Sequence, residues 1–226
     1  MLIVLEGLDG AGKSTQVKKL KAYLEQKRPP LEYIHFPRYG APVYGDLISR
    51  FLRGEFGSNQ AVHPQLVALL FAEDRHGAAP AIKKALSEGK TVLLDRYVYS
   101  NIAYQCSKLK SEKEKLSLRD WIFNTEYGDF GLPRPDINIF LDVPISFVKE
   151  NLEDSRASDI GREYLEGARD IHEADINFQK GVREMYLGET VRDSHFKRID
   201  CSDDTGHMLP PEQIFTKIVN CLESVL

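Results

Sequence analysis

"LIVLEGLDGAGKST", residues 2 to 15, decides the fold. Leu2 to Leu5 form a short apolar, partly β-branched run, which reads as a buried strand. Gly7, Gly12, Lys13 and Ser14 then match G-x-x-x-x-G-K-[ST], and "KSTQVKKLKAYLEQK" follows with a helical pattern. Strand, glycine-rich loop and helix in that order make an anion cradle. Gly7, Gly10 and Gly12 let backbone N–H groups turn inward, and Ala11 adds little bulk beside them. The helix N-terminus that opens at Lys13, Ser14 and Thr15 contributes a partial positive charge. Lys13 reaches β and γ phosphates and the Ser14 hydroxyl can coordinate Mg²⁺. The loop is therefore read as a nucleoside triphosphate site. Asp9 is out of character there, because a carboxylate inside a phosphate loop repels the ligand.

Outward from the loop, further short apolar runs alternate with longer helical patterns. The strands are "LIVLE" (2–6), "LEYIHF" (31–36), "TVLLD" (91–95), "INIFLDV" (137–143) and "FKRID" (196–200). This alternation predicts an α/β fold: a P-loop NTPase with three α/β/α layers around a five-stranded parallel sheet. The length of 226 residues and 42% hydrophobic content suit one domain, spanning 1–226. Glu153 to Asp170 is charged, carries two glycines and lacks an apolar period, so it reads as a mobile lid over the sheet's carboxyl edge. After it, "ARDIHEADINFQKGVREMYLGE" reads as one long helix.

The charge balance limits the partners. A net charge of -4 gives no overall field toward nucleic acid or an anionic membrane, so phosphate recognition has to be local. No stretch approaches the roughly 20 apolar residues of a membrane span. Three cysteines at no metal-ligand spacing suit a reducing cytoplasm, and "MLIVLEG" is too short for a secretory h-region.

Residues at the other strand ends choose among the reactions such a loop serves. Asp95 closes the third strand, where a carboxylate organises Mg²⁺ or caps the next helix; the two roles are compatible. Arg38 follows the second strand and Arg96 the third, so both fall at the edge where Gly7 emerges and where open α/β sheets bind ligands. Two arginines there suit a second phosphate, since each planar fork gives paired charge-assisted hydrogen bonds. On a helix, Phe71 and Arg75 are i and i+4, an aromatic face beside a bidentate donor, although Phe71 equally suits core packing. Tyr97, Asn101 and Tyr104 make a polar-aromatic stripe facing the same cleft.

"EGLDGAGKST", "FPRYG", "LLFAEDR", "DRYVYSNIAYQ" and "GLPRPDINIFLDV" occur in that order over residues 1–145, and together they resemble the thymidylate kinase family. The resemblance implies transfer of a phosphoryl group from ATP to dTMP with Mg²⁺, by a homodimer. It implies that Asp9 contacts the acceptor's 3'-hydroxyl and the metal, with Ser14, Asp95 and Glu173 as the other metal residues. Arg38 and Arg96 would hold the dTMP phosphate, with Phe36, Pro37 and Ser100 beside them. Phe71 would stack on thymine, Arg75 and Asn101 would bond its polar edge, and Tyr104 would exclude a ribose 2'-hydroxyl. Gly10 and Ala11 stand where one branch of the family has a basic loop residue, so Arg156 and Arg162 of the lid would supply the catalytic cation, with Arg169 in reserve. Many relatives have a Tyr-Glu pair where this chain has His172-Glu173; His172 reads as a solvated residue on a helix surface.

A GTP-binding switch would need an N-K-x-D motif, and no Asn-Lys pair occurs. A nucleoside kinase, or a monophosphate kinase for another base, is the alternative enzyme. Lys13→Ala is expected to lower kcat at least about 100-fold in a coupled ADP-release assay while circular dichroism stays native. An unchanged kcat refutes the phosphate role of Lys13.

Overall fold

Every residue of the first strand, β1 (Leu2–Gly7), is buried, so both faces of the sheet are covered there. In the computed structural model, which describes residues 1–155 and 163–223, four more strands join it. They are β2 (Leu31–His35), β3 (Thr91–Asp95), β4 (Ile137–Asp142) and β5 (Phe196–Asp200), all parallel, in the order β2-β3-β1-β4-β5. β3 and β4 are also wholly buried and mostly apolar, as interior parallel strands tend to be. β2 and β5 form the edges and are partly exposed. The five strands match those read from the sequence to within a residue at each end.

Helices α1 (Lys13–Lys27) and α8 (Pro211–Glu223) pack together. A second group comprises α3 (Pro64–Ser87), α4 (Val98–Cys106), α5 (Glu112–Phe123) and α7 (Ile176–Arg192), all gathered around α4. The sheet separates the two groups, giving the three expected layers. α2 (Tyr44–Leu52) packs on α3, and α6 (Ile145–Ser155) follows β4. A π-helical turn, Asn124–Asp129, continues α5. Cys106, Cys201 and Cys221 form no disulfide among the described residues.

β1 lies between β3 and β4, so the chain leaves it toward α1 on one side while β3 runs into α4 on the other. This reversal of strand order opens a crevice at the carboxyl edge, the position where such sheets bind ligands. Glu6 ties the crevice floor together. This fully buried carboxylate accepts from the Tyr97 N–H (2.8 Å), the Ser100 hydroxyl (2.5 Å) and the Tyr186 hydroxyl (2.9 Å). Burial pushes its pKa up against those hydrogen bonds.

One expectation is corrected. The helix predicted to start at Ala168 begins instead at Ile176, because Asp175 caps it by accepting from the Asn177 N–H (2.8 Å). Within the segment read as a lid, 153–155 extend α6, Glu163–Leu165 form a 3₁₀ turn, and Asp170 is buried. Arg156 and Arg162 lie outside the described residues.

Candidate active site

The loop after β1 takes the conformation its glycines allow. Gly10 and Gly12 have φ of 71° and 70°, in the left-handed region that a side chain strains. Asn151 of α6 braces the loop by donating to the Gly10 carbonyl (2.8 Å). Lys13 curls back and donates to the Leu8 carbonyl (2.9 Å). Burial first, then the nearby Arg96 charge, lower its pKa to about 8. Beside the loop, Ala11, Gly12 and Thr15 face Phe147, Met208 and Pro211 across a cleft of about 110 Å³. Ser14, His35 and Asp95 line a separate open groove. Asp95 accepts from His35 through Oδ2 (3.2 Å), and its other oxygen, Oδ1, is buried with no partner.

On the far side of the loop is a pocket at the carboxyl ends of β1, β2 and β3. Asp9 is its hub. Its carboxylate accepts from Arg96 Nη2 (2.6 Å), the Tyr104 hydroxyl (2.7 Å) and Gln179 Nε2 (3.1 Å). Although burial opposes ionisation, the Arg96 and Lys13 charges hold its pKa below the usual carboxylate range. The misplaced carboxylate of the loop is thus neutralised from β3 and turned away from the phosphate cradle. Arg96 also donates to the Gly7 carbonyl (2.8 Å) and adopts a φ of 68°. That conformation costs about 1–3 kcal/mol and persists where contacts such as these impose it.

Phe36, Pro37, Phe71, Arg75, Ser100, Asn101 and Tyr104 line this pocket with Asp9 and Arg96. Arg75 is anchored: its Nε and Nη2 bond Glu126 at 2.5 and 2.7 Å. Asn101 Nδ2 donates to the same carboxylate (2.8 Å), which leaves Asn101 Oδ1 buried and unpartnered. Arg38 does not point in. It grips Asp74, with Nε on the carboxylate (2.9 Å) and Nη2 on the carbonyl (2.6 Å), and is absent from the pocket lining. A Cβ on Gly77 would stand 3.0 Å from that Nη2, so the glycine lets the guanidinium lie against α3.

Sequence reasoning missed Tyr39, Gln105, Glu126, Tyr164, Asp170 and Gln179. Tyr39 sits in "FPRYG" beside Arg38, a signal that was open to reading. Gln105 likewise ends "DRYVYSNIAYQ" beside Tyr104, and the other four carry no local pattern. The reading of His172 as a surface residue is overturned. It is 5% exposed, in a turn before α7, with its ring near Tyr104 (5.1 Å between centroids), Phe178 (5.5 Å) and Phe51 (5.6 Å). Its N–H donates to Asp170 Oδ1 (2.8 Å), which pins the turn inward.

A family model described as thymidylate kinase matches residues 5–208. The chain belongs to the thymidylate kinase family. The thymidylate kinase of Mycobacterium tuberculosis is 36% identical over 186 residues, which is 82% of this chain and 84% of that protein. The one from Chlorobium chlorochromatii is 34% identical over 229 residues, 100% of this chain and 96% of that protein. The solved structure of thymidylate kinase from Candida albicans superposes with a TM-score of 0.70 at 27% identity, covering 99% of this chain and 91% of that one.

Against this thymidylate kinase background, the segment before α7 closes the pocket from above. Tyr39 and Tyr164 stack at 3.9 Å and 5°, and the Tyr164 hydroxyl donates to Asp170 Oδ2 (2.9 Å). Arg169 is exposed and Glu173 half-buried. Burial, reinforced by the Asp9 and Glu173 charges, raises the Asp170 pKa well above its ordinary 3.8. The folded state therefore keeps a proton that the unfolded chain releases, and this carboxyl costs stability as pH rises from about 4 through its folded pKa. Asp170→Asn removes that cost. Urea midpoints should fall less steeply from about pH 5 to 8 in the variant, a difference of about 1–2 kcal/mol across the range. Parallel slopes contradict the assignment.

Proposed function

We propose that the protein is a thymidylate kinase, transferring the γ-phosphoryl group of ATP to the 5'-phosphate of dTMP to give dTDP and ADP. The supporting observation is the acceptor pocket itself. It joins the phosphate loop through Asp9, and its arginine, aromatic and amide groups line one wall.

In this reading Lys13 and the N-terminus of α1 hold the β and γ phosphates, with Gly7, Gly10, Ala11, Gly12, Ser14 and Thr15 around them. The donor's nucleoside takes the cleft beside Thr15 and Met208. The acceptor phosphate replaces Asp9 as partner of Arg96, and Arg38 turns from Asp74 to join it. Thymine stacks on Phe71. Asn101 Oδ1, which lacks a partner, accepts from the base N3–H, while Glu126 fixes Arg75 to address the base's carbonyl edge. Phe36, Pro37 and Ser100 complete the wall. Asp9 accepts from the 3'-hydroxyl, and Tyr104, held by Asp9, stands where a ribose 2'-hydroxyl would intrude.

The residues present fit Mg²⁺. Asp95 offers an unpartnered oxygen, Ser14 shares its groove, Asp9 lines the acceptor pocket, and the Glu173 charge bears on Asp170 of that pocket. No cluster of three or more His, Cys, Asp or Glu occurs among the described residues, which suits an ion carried largely by substrate phosphates and water. Such an ion neutralises charge on the transferring group. This chain's own part is placement: the two nucleotides meet end to end, Lys13 and Arg96 are cations already in position, and Arg38 joins them on turning from Asp74. Arg156 and Arg162 of the lid, 153–170, supply the remaining charge, with Arg169 in reserve. Residues 1–226 form one kinase domain. The enzyme is cytoplasmic; no helix among the described residues is long and apolar enough to cross a membrane. It is a homodimer, assembled through the face of α3 that exposes Leu66 (62%) and Leu69 (36%).

An ADP-release assay with dTMP, dUMP, thymidine, dGMP and AMP tests the reading. kcat/KM for dTMP should exceed that for AMP and for thymidine by at least about 100-fold. Equal rates with AMP would remove the base-recognition argument, and equal rates with thymidine the phosphate-acceptor argument.

A further inference from the structure

His172 Nε2 is buried and, among the described residues, has no hydrogen-bond partner. Leaving such a group unpaired costs about 1–3 kcal/mol, so Nε2 calls for a partner from outside the protein, such as a ligand. Among the described residues, the side chains around the ring make no hydrogen bond to it. The ring is enclosed by Phe51, Phe71, Phe178 and Tyr104, and of these only Tyr104 carries a polar group. The Tyr104 hydroxyl is committed to Asp9. Lys108, whose charge bears on the imidazole, lies over the Phe51 ring at 5.0 Å and leaves its own Nζ unpartnered. The position is nevertheless fixed from both sides, by Asp170 accepting the His172 N–H (2.8 Å) and by Gln179 donating to the His172 carbonyl (2.9 Å).

The imidazole lines the acceptor pocket between the ring read as the thymine platform, Phe71, and the carboxylate hub, Asp9. Gln179 bonds both Asp9 Oδ2 and the His172 carbonyl, so the two residues are held on one side of the pocket. A nucleotide bound with its base on Phe71 and its phosphate at Arg96 lays its sugar along that side. dTMP has a single sugar hydroxyl. A hydroxyl carries one donor and two acceptor lone pairs, so after donating to Asp9 it still accepts from an imidazole N–H. Resting on the thymidylate kinase reading, we propose that His172 is a specificity-determining residue whose Nε2–H donates to the 3'-hydroxyl of the acceptor's deoxyribose, selecting 3'-hydroxyl over 3'-deoxy nucleotides.

The test compares dTMP with 2',3'-dideoxythymidine 5'-monophosphate as acceptors for the wild type, His172→Phe and His172→Gln. Phe keeps the aromatic packing without the donor, and Gln restores an N–H near the same point. The wild-type preference in kcat/KM for dTMP should fall about 5- to 30-fold in His172→Phe, with rates on the dideoxy acceptor within about threefold of wild type. His172→Gln should recover part of the preference. A wild type inactive on dTMP overturns the kinase reading. An active wild type whose preference survives in His172→Phe overturns the contact with the sugar and leaves that reading standing. The same holds if the preference that changes is for dTMP over its 2-thio analogue, which would put Nε2 on the base. Wild-type protein gives a check that needs no variant to fold: the ¹⁵N shift of the His172 Nε2 should move on adding dTMP and not on adding the dideoxy analogue. Equal movement with both overturns the proposal.

Discussion

Asp9 and Arg96 form the contact on which the rest of the site depends. The pair joins the loop after β1 to the end of β3, and Tyr104 of α4 and Gln179 of α7 add their hydrogen bonds to the same carboxylate. Arg96 and Asp9 keep 11% and 22% of their side chains exposed, so removing one partner costs less than the roughly 3–5 kcal/mol typical of a fully buried pair. The pair also explains how a phosphate site can wait without its ligand. Arg96 stays charged and oriented because an internal anion occupies the place we assign to the acceptor phosphate. Exchange of one anion for another at a fixed guanidinium involves less desolvation than burying a free cation afresh.

Below that pair, Glu6 performs the same service for the scaffold. Its carboxylate collects the Tyr97 N–H, Ser100 and Tyr186, so the start of α4 is held against β1 from inside the sheet. Arg96, Ser100, Asn101 and Tyr104 all belong to this junction and inherit its position. The fold thus contributes a crevice at the strand-order reversal, and two carboxylates on one strand-loop unit, the buried Glu6 and the half-buried Asp9, set the side chains that line it.

Much of this was open to reading in the sequence. The loop glycines, the parallel strands and the stripe of Asn101 and Tyr104 follow from backbone sterics and helical spacing, which are local rules. The parts that were not legible come from partners far apart in the chain. Glu126 meets Arg75 across 51 residues and Gln179 meets Asp9 across 170, and neither has a pattern that announces it. Arg38 lies at the expected strand end, but Asp74, 36 residues on, turns its guanidinium along α3. His172 was misread because the segment before α7 looks helical by composition. The Asp175 cap and the Asp170 bond instead make a turn that drives the ring inward.

The central claim is that a nucleotide phosphate takes Asp9's place on Arg96 at the carboxyl edge of the sheet. A crystal structure of the protein with dTMP bound tests it most directly. The account predicts the 5'-phosphate within hydrogen-bond distance of Arg96, Arg38 swung from Asp74 toward it, and thymine over Phe71. dTMP bound elsewhere, or bound here with Arg96 still clasping Asp9 and no phosphate contact, would contradict it.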